Sequence, residues 1–358
     1  MMDSNFNEFI PNSALIKNEC KNSNETEAEA EANEADQVIN IFDKTSVTKA
    51  IDAETNRNRI MILRDLLKES DHKPLAMFNS DIISKLENLA EKFGNFNEVI
   101  ARVKSTLCLS GLEDPKTLYI PPLLLTGPPG VGKTRFISEL AAVLGTDFFS
   151  LDFASVSSSF VVAGGYSSWM DSKPGFVSKS IRKSTYANPI FMLDEIDKVT
   201  TDSRHNPLGP MYGLLERHTA KHFVDEYLEI PFDVSFVIWI ASANYPEQIP
   251  EPIRSRMIEI AIHPPTTAQA RAIICSIYDE LLNMNAWGKH FATKLDKKVI
   301  DKLSTLSPRL VRIQLENALA NAVQRSPANK RPIVVIPKDV TIASNRTKSR
   351  GIGFMANI

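Results

Sequence analysis

Long apolar runs are missing from this chain. The longest candidate, Phe236 to Ala241, has the length of a strand, whereas a membrane-crossing helix needs about 18 apolar residues, so no membrane partner is expected. Cysteine is scarce. Cys20, Cys108 and Cys275 lie far apart, which excludes a disulfide framework or a metal cluster built from them and suits reduced thiols in the cytoplasm. The first ten residues, Met1 to Ile10, are acidic and carry no apolar stretch, so they do not read as a secretory signal. An excess of one charge is lacking too, with a net charge of −2. That balance hides an asymmetry: residues 1–45 hold ten acids against three bases, a net −7, which leaves +5 on the rest. So mild a basic excess does not by itself indicate nucleic-acid binding. What is plentiful is apolar content, 43 % of 358 residues with 23 % charged, enough for a sizeable core and one large or two modest domains.

The chain divides by pattern. Glu25 to Asp36 is low-complexity and acidic, and it cannot bury enough surface to offset ordering entropy, so residues 1–45 are expected to be a disordered tail. Ile60, Leu63, Leu66 and Leu67 recur at helical spacing within residues 46–70, and Ile82, Ile83, Leu86, Leu89 and Ala90 do so within Asn79 to Phe93. Pro74 separates them, and residues 46–94 are expected to form a helical N-terminal extension, an accessory arm. From about residue 95 strand-like runs alternate with helical segments. The strands expected are Leu123 to Leu125, Phe148 to Phe153, Ile190 to Leu193, Phe236 to Ala241 and Met257 to Ile262, with a helix from Thr134 to Leu144. Such alternation predicts an α/β fold, a parallel sheet with helices on both faces, over residues 95–264. After His263-Pro264-Pro265 the pattern turns helical over Thr267 to Leu282 and Leu310 to Val323, with a short β-branched run at Ile333 to Ile336. A small, mainly helical domain is therefore expected over residues 265–343, with a C-terminal tail at 344–358.

Gly127-Pro128-Pro129-Gly130-Val131-Gly132-Lys133-Thr134 fits the phosphate-loop pattern G-x-x-x-x-G-K-[ST]. Glycines let successive backbone N–H groups converge on phosphate oxygens, and the following helix adds its positive dipole end. The octet lies between an apolar strand and an amphipathic helix, the setting this chemistry requires. Lys133 is expected on the β- and γ-phosphates of ATP, and the Thr134 hydroxyl on Mg²⁺. About 60 residues on, Ile190 to Leu193 ends in Asp194-Glu195. Asp194 is expected to share the Mg²⁺ with Thr134, and Glu195 to activate the attacking water. Asp197 reads as a structural capping or pairing residue.

These motifs, a further strand ending in Ala243-Asn244 and a following arginine segment resemble an AAA+ ATPase, a P-loop NTPase with a lid. The similarity is strongest to the ATPase module of Lon proteases, through Gly164–Gly175, Asn188–Lys198 and Ile249–Met257. The resemblance implies that Asn244 is a sensor placing the attacking water. It implies that Arg256 is an arginine finger acting on the neighbouring subunit of a hexameric ring, with Arg254 the alternative. Arg309 resembles a second sensor reaching the γ-phosphate from the lid. Trp169 and Met170 align with the pore-loop pair that grips an extended polypeptide, and an aromatic in a glycine- and serine-rich loop is a contact candidate on its own. Asp171 stands where the family pattern has glycine. Lon proteases continue into a Ser-Lys protease domain, whereas here only residues 344–358 follow the expected lid, so no peptide cleavage by this chain alone is expected.

The leading expectation is Mg²⁺-dependent ATP hydrolysis in a self-assembled ring that remodels or unfolds a protein client. Two alternatives stand beside it. One is a motor or loader on DNA, resting on Lys179, Arg182 and Lys183 and on Arg346, Lys348 and Arg350. The other is a nucleotide-dependent scaffold that recruits a separate effector through its acidic N-terminus.

Overall fold

The computed structural model describes residues 37–113, 116–167, 169, 172–199, 205–327 and 331–341. The N-terminal part contains β1 (Val38–Asn40), α1 (Lys44–Ala53), α2 (Arg57–Lys68), β2 (His72–Pro74), α3 (Ser80–Lys92) and α4 (Asn97–Ser110). The central part runs β3 (Leu123–Thr126), α5 (Lys133–Leu144), β4 (Phe148–Asp152), α6 (Phe160–Ala163), α7 (Phe176–Lys183) and β5 (Ile190–Asp194). It continues through α8 (Met211–Leu214), α9 (Arg217–Ala220), β6 (Phe223–Val224), β7 (Pro231–Phe232), β8 (Ile238–Ala243), α10 (Glu251–Arg254) and β9 (Ile258–Ala261). Three further helices follow: α11 (Thr267–Met284), α12 (Lys297–Leu303) and α13 (Pro308–Arg325). None of the described helices is long and apolar enough to cross a membrane.

β4, β5, β8, β3 and β9 form one parallel sheet in that order. β3 and β8 are buried along their whole length, as a parallel sheet covered on both faces requires. Alternate side chains feed two cores. Leu124, Phe191, Leu193, Trp239 and Ala241 enter one, while Leu123, Leu125, Ile190, Met192, Ile238 and Ile240 enter the other. The fold is the α/β fold of a P-loop NTPase, with a helical C-terminal part. β8 begins and ends two residues later than the apolar run suggests. Pairing with β3 is the reason, because Thr126 stands opposite Ala243, so the strand extends until it matches its neighbour. The run at Ile333 to Ile336 makes no strand; Ile333 forms a single bridge with Phe291, and Ile333 and Val335 are buried in the C-terminal core.

The N-terminal expectations need correction in two respects. Residues 1–36 of the expected tail lie outside the described residues, and structure is present before residue 46: Val38–Asn40 pairs with His72–Pro74, and Ile41 and Phe42 are buried. Asp43, read from sequence as part of the acidic tail, caps α1 by accepting from the Thr45 and Ser46 amides, both at 3.0 Å. Nor do the N-terminal helices form a free arm. Val47, Leu63, Leu66 and Leu75 pack into one central core, and Ile82, Leu86, Leu89, Val99, Val103 and Leu107 into the other. Their amphipathic faces are the cover that the sheet needs.

The last three helices make a core of their own around Ile274, Tyr278, Leu303, Leu315 and Leu319. Polar contacts join it to the rest: Gln269 Nε2 donates to Gly94 O at 2.8 Å, and Glu280 on α11 pairs with Arg135 of α5. Glu280 also accepts from Arg312 of α13 at 2.9 Å.

Candidate active site

The loop between β3 and α5 begins the site. Gly127 has φ of 151°, and a Cβ there would stand 2.2 Å from the Ile262 carbonyl oxygen, so a side chain cannot be accommodated. Gly130, at φ of 81°, is the place where the loop meets the C-terminal helices: a Cβ would lie 3.3 Å from Ser307 Oγ and 3.5 Å from Arg309 Cβ. Gly132 precedes α5, whose first-turn N–H groups have no intrahelical partners. The sequence places this loop at the C-terminal end of β3, between β8 and β9, where open parallel sheets collect their ligands.

Lys133 is 8 % exposed, and its ammonium donates to Gly127 O at 2.5 Å and to Asn244 Oδ1 at 2.9 Å. Burial pushes its pKa below the ordinary lysine value, while Asp194, Asp197 and Glu195 oppose that shift. A desolvated cation of this kind gains by meeting an anion. Thr134 Oγ1 donates to Asp194 Oδ2 at 2.9 Å. Ser242, fully enclosed near the end of β8, donates to the other carboxylate oxygen, Asp194 Oδ1, and accepts from the Glu195 amide at 3.1 Å. Glu195 itself is left-handed, with φ of 52°, an unfavourable conformation for a non-glycine residue that the Ser242 contact supports. Asp197, buried as its structural reading expects, accepts from the Asn244 and Tyr245 amides at 3.2 Å each and so fixes the turn carrying Asn244.

A cavity of about 310 Å³ collects these groups. Pro129 to Arg135, Asp194, Glu195, Ser242 and Asn244 line it from the central part, and Pro308, Arg309 and Arg312 from α13. Arg309 therefore lines the same cavity as the glycine-rich loop. Arg256 does not line this cavity: its Nε pairs with Glu216 at 2.8 Å and its guanidinium also donates to Pro252 O. Arg254 pairs with Glu259 at 2.6 Å. Trp169 is 49 % exposed, with one edge against Phe160 and Tyr166, at ring-centroid distances of 5.1 and 5.4 Å. It is thus partly folded back and partly open. Met170 lies outside the described residues.

Sequence reasoning missed Ser242 and Arg312. Ser242 had a signal, a lone hydroxyl where an otherwise apolar strand ends; Arg312 had none beyond its one-turn spacing from Arg309.

Known proteins are similar to part of this chain. Residues 123–264 match the model of the ATPase family associated with various cellular activities, AAA. That stretch is similar to AAA ATPase domains. More particularly, the chain is similar to Lon proteases. Lon protease of Wolbachia pipientis subsp. Culex pipiens is 36 % identical over 48 % of this chain and 21 % of that protein. Lon protease of Ureaplasma parvum serovar 3 is 33 % identical over 54 % of the chain and 24 % of its own length. Lon protease 1 of Bacillus subtilis is 36 % identical over 47 % and 22 % respectively. The matched stretch thus spans less than a quarter of each of these three relatives.

Proposed function

We propose that this chain hydrolyses ATP with Mg²⁺ as a subunit of a self-assembled ring, a hexamer by resemblance, and couples hydrolysis to remodelling of a polypeptide client. The observation that carries this reading is one cavity lined by Lys133, Asp194, Glu195, Asn244 and Arg309, with Arg256 outside it. A site complete except for its arginine finger is what a shared, intersubunit site requires. In this reading residues 95–264 carry the nucleotide, the earlier helices pack beneath them, and residues 265–343 act as the lid.

The loop amides of Gly130 to Thr134 and the Lys133 ammonium bind the phosphates. Thr134 Oγ1 and Asp194 Oδ2, a hydroxyl and a carboxylate 2.9 Å apart, are hard oxygen donors suited to a magnesium ion shared with substrate phosphates. When bound, that ion supplies charge neutralisation on the transferring phosphoryl group. Asn244 holds Lys133 on one side and orients the water on the other. Glu195 takes the water's proton as its oxygen attacks in line with the departing ADP. Arg309 meets the γ-phosphate from α13, and Arg256 of a neighbouring copy completes the charge.

Ser242 holds both reacting carboxylate residues, so Ser242→Ala is expected to lower kcat by about tenfold to hundredfold, the usual cost of losing a supporting hydrogen bond of this kind. The KM for ATP should change little, and Ser242→Thr should restore most of kcat. Steady-state rates across ATP concentration check this; a fall in binding alone would remove Ser242 from the chemistry.

A polypeptide client is favoured over DNA. Arg182, one of six bases behind the DNA reading, is held by Glu69 at 2.6 and 3.0 Å and so is not available to a phosphate backbone. The bases at 346, 348 and 350 lie outside the described residues. The deciding experiment is ATPase rate against protein concentration, with and without unfolded polypeptide or single-stranded DNA. Specific activity is expected to rise steeply with concentration and further with polypeptide. Activity independent of concentration would overturn the shared site, and stimulation by DNA alone, lost at higher salt, would overturn the client.

A further inference from the structure

We infer that Arg59, on α2 of the N-terminal part, is a positioning residue for the loop Gly164–Gly175, acting through Glu229 and Ser167. The inference rests on the reading of that loop as a client contact, and it adds the device that sets the loop's geometry.

Arg59 is 6 % exposed, far more buried than a guanidinium ordinarily is. One arm pairs with Glu54, at the end of α1. The other donates to Leu228 O at 2.9 Å and meets Glu229 Oε2 at 3.1 Å. So a charge supplied by the N-terminal helices acts on a turn 169 residues away in the chain. Glu229 is one of two described non-glycine residues with positive φ, at 53°. Its second carboxylate oxygen, Oε1, accepts from Ser167 Oγ at 2.8 Å, two residues before Trp169.

The same turn grips the loop at both ends. Asp225 is fully buried and accepts from the Gly175 amide at 2.8 Å and from Ser178 Oγ. It also accepts from the Tyr227 and Leu228 amides at 3.0 Å, which shapes the turn itself. At the loop's other end Gly164, with φ of 92°, leaves room for that carboxylate: a Cβ there would stand 2.5 Å from Asp225 Oδ1. Residues 225–229 thus hold the loop at Ser167 and Gly175 and, through the Glu226 amide on Ala163 O at 2.8 Å, at its start, and Arg59 holds residues 228 and 229 from behind. Loss of Arg59 frees the Glu229 carboxylate, and with it the side-chain anchor that Ser167 provides within the loop.

Full-length protein without nucleotide or client serves for the first measurement, amide hydrogen exchange over residues 160–178. Arg59→Ala, Glu229→Gly and Ser167→Ala are each expected to speed exchange there by about tenfold through local opening. Glu229→Gly is the safeguard against misfolding, because glycine adopts the observed backbone freely. The double variant Arg59→Ala/Ser167→Ala should exchange no faster than either single variant, since all three residues form one chain of contacts. In the second measurement, ATPase is titrated with a reduced, carboxymethylated polypeptide. Arg59→Ala and Glu229→Gly should keep the basal rate within about twofold and raise the polypeptide concentration for half-maximal stimulation by about fivefold, in the range of such couplings. Unchanged loop exchange in Glu229→Gly, or additive effects in the double variant, would make Arg59 a staple of the fold and overturn the proposal. Should the unmodified protein show no stimulation by polypeptide, the client reading fails, while exchange and additivity still decide whether Arg59 positions the loop.

Discussion

Replacing Glu195 with glutamine is expected to lower steady-state ATP turnover by at least about a hundredfold, the size of effect a positioned general base supplies, while ATP binding stays close to that of the unmodified protein. The amide has the same shape, so the left-handed turn at φ of 52° and its support from Ser242 survive, and the phosphate loop is untouched. What is lost is a group that can take the proton of the attacking water. Turnover assays and equilibrium titration with a fluorescent ATP analogue separate the two quantities. If the variant hydrolyses at the unmodified rate, the base lies elsewhere in the cavity. If binding is lost with turnover, Glu195 supports the phosphate site and not the chemical step.

Arg256→Ala is expected to cost about a thousandfold in kcat, the lower end of what an arginine finger contributes. Position is the argument. Arg256 is absent from the lining of its own chain's cavity and is tied instead to Glu216, which is half exposed. An ion pair that open to water is worth no more than about 1 kcal/mol, so exchanging Glu216 for a neighbour's phosphates costs little. Mixing decides whether the finger acts in trans. Arg256→Ala and Glu195→Gln subunits are each expected to be nearly inactive alone. In the proposed ring, mixing would create sites where an intact Glu195 on one subunit meets an intact Arg256 from the next, so activity should return on mixing. Mixtures that stay inactive, although they assemble, would place Arg256 in its own subunit's structure and leave the intersubunit site without its cation.

Sequence and structure contribute unequally to these expectations. The phosphate loop and Asp194-Glu195 were legible because each is a short window whose residue order is its chemistry: glycines for the backbone path, a lysine at its end, two carboxylates closing an apolar strand. The strands were legible as apolar runs. Their limits were less so, because β8 ends where β3 requires, not where its own hydrophobicity fades. The N-terminal helices were read correctly as helices and wrongly as an arm, since a helical period reveals an apolar face without naming what covers it. Trp169 was read as a contact candidate from its glycine- and serine-rich loop; the structure leaves half of it exposed and rests the remainder on Phe160 and Tyr166.

By itself, then, the sequence determined the glycine-rich loop with Lys133 at its end, the two acids that share its cavity, and the succession of elements that makes a parallel sheet. These depend on neighbours within a few residues, where backbone preference and side-chain period act directly. Only the tertiary structure decided that Ser242 braces both acids, that Arg309 enters the cavity while Arg256 stays outside, and that Arg59 reaches the Gly164–Gly175 loop through Glu229. Each of those contacts joins residues tens to well over a hundred positions apart. Hydrogen bonds and ion pairs form over a few ångströms, and which distant residues come that close is set by how the cores pack.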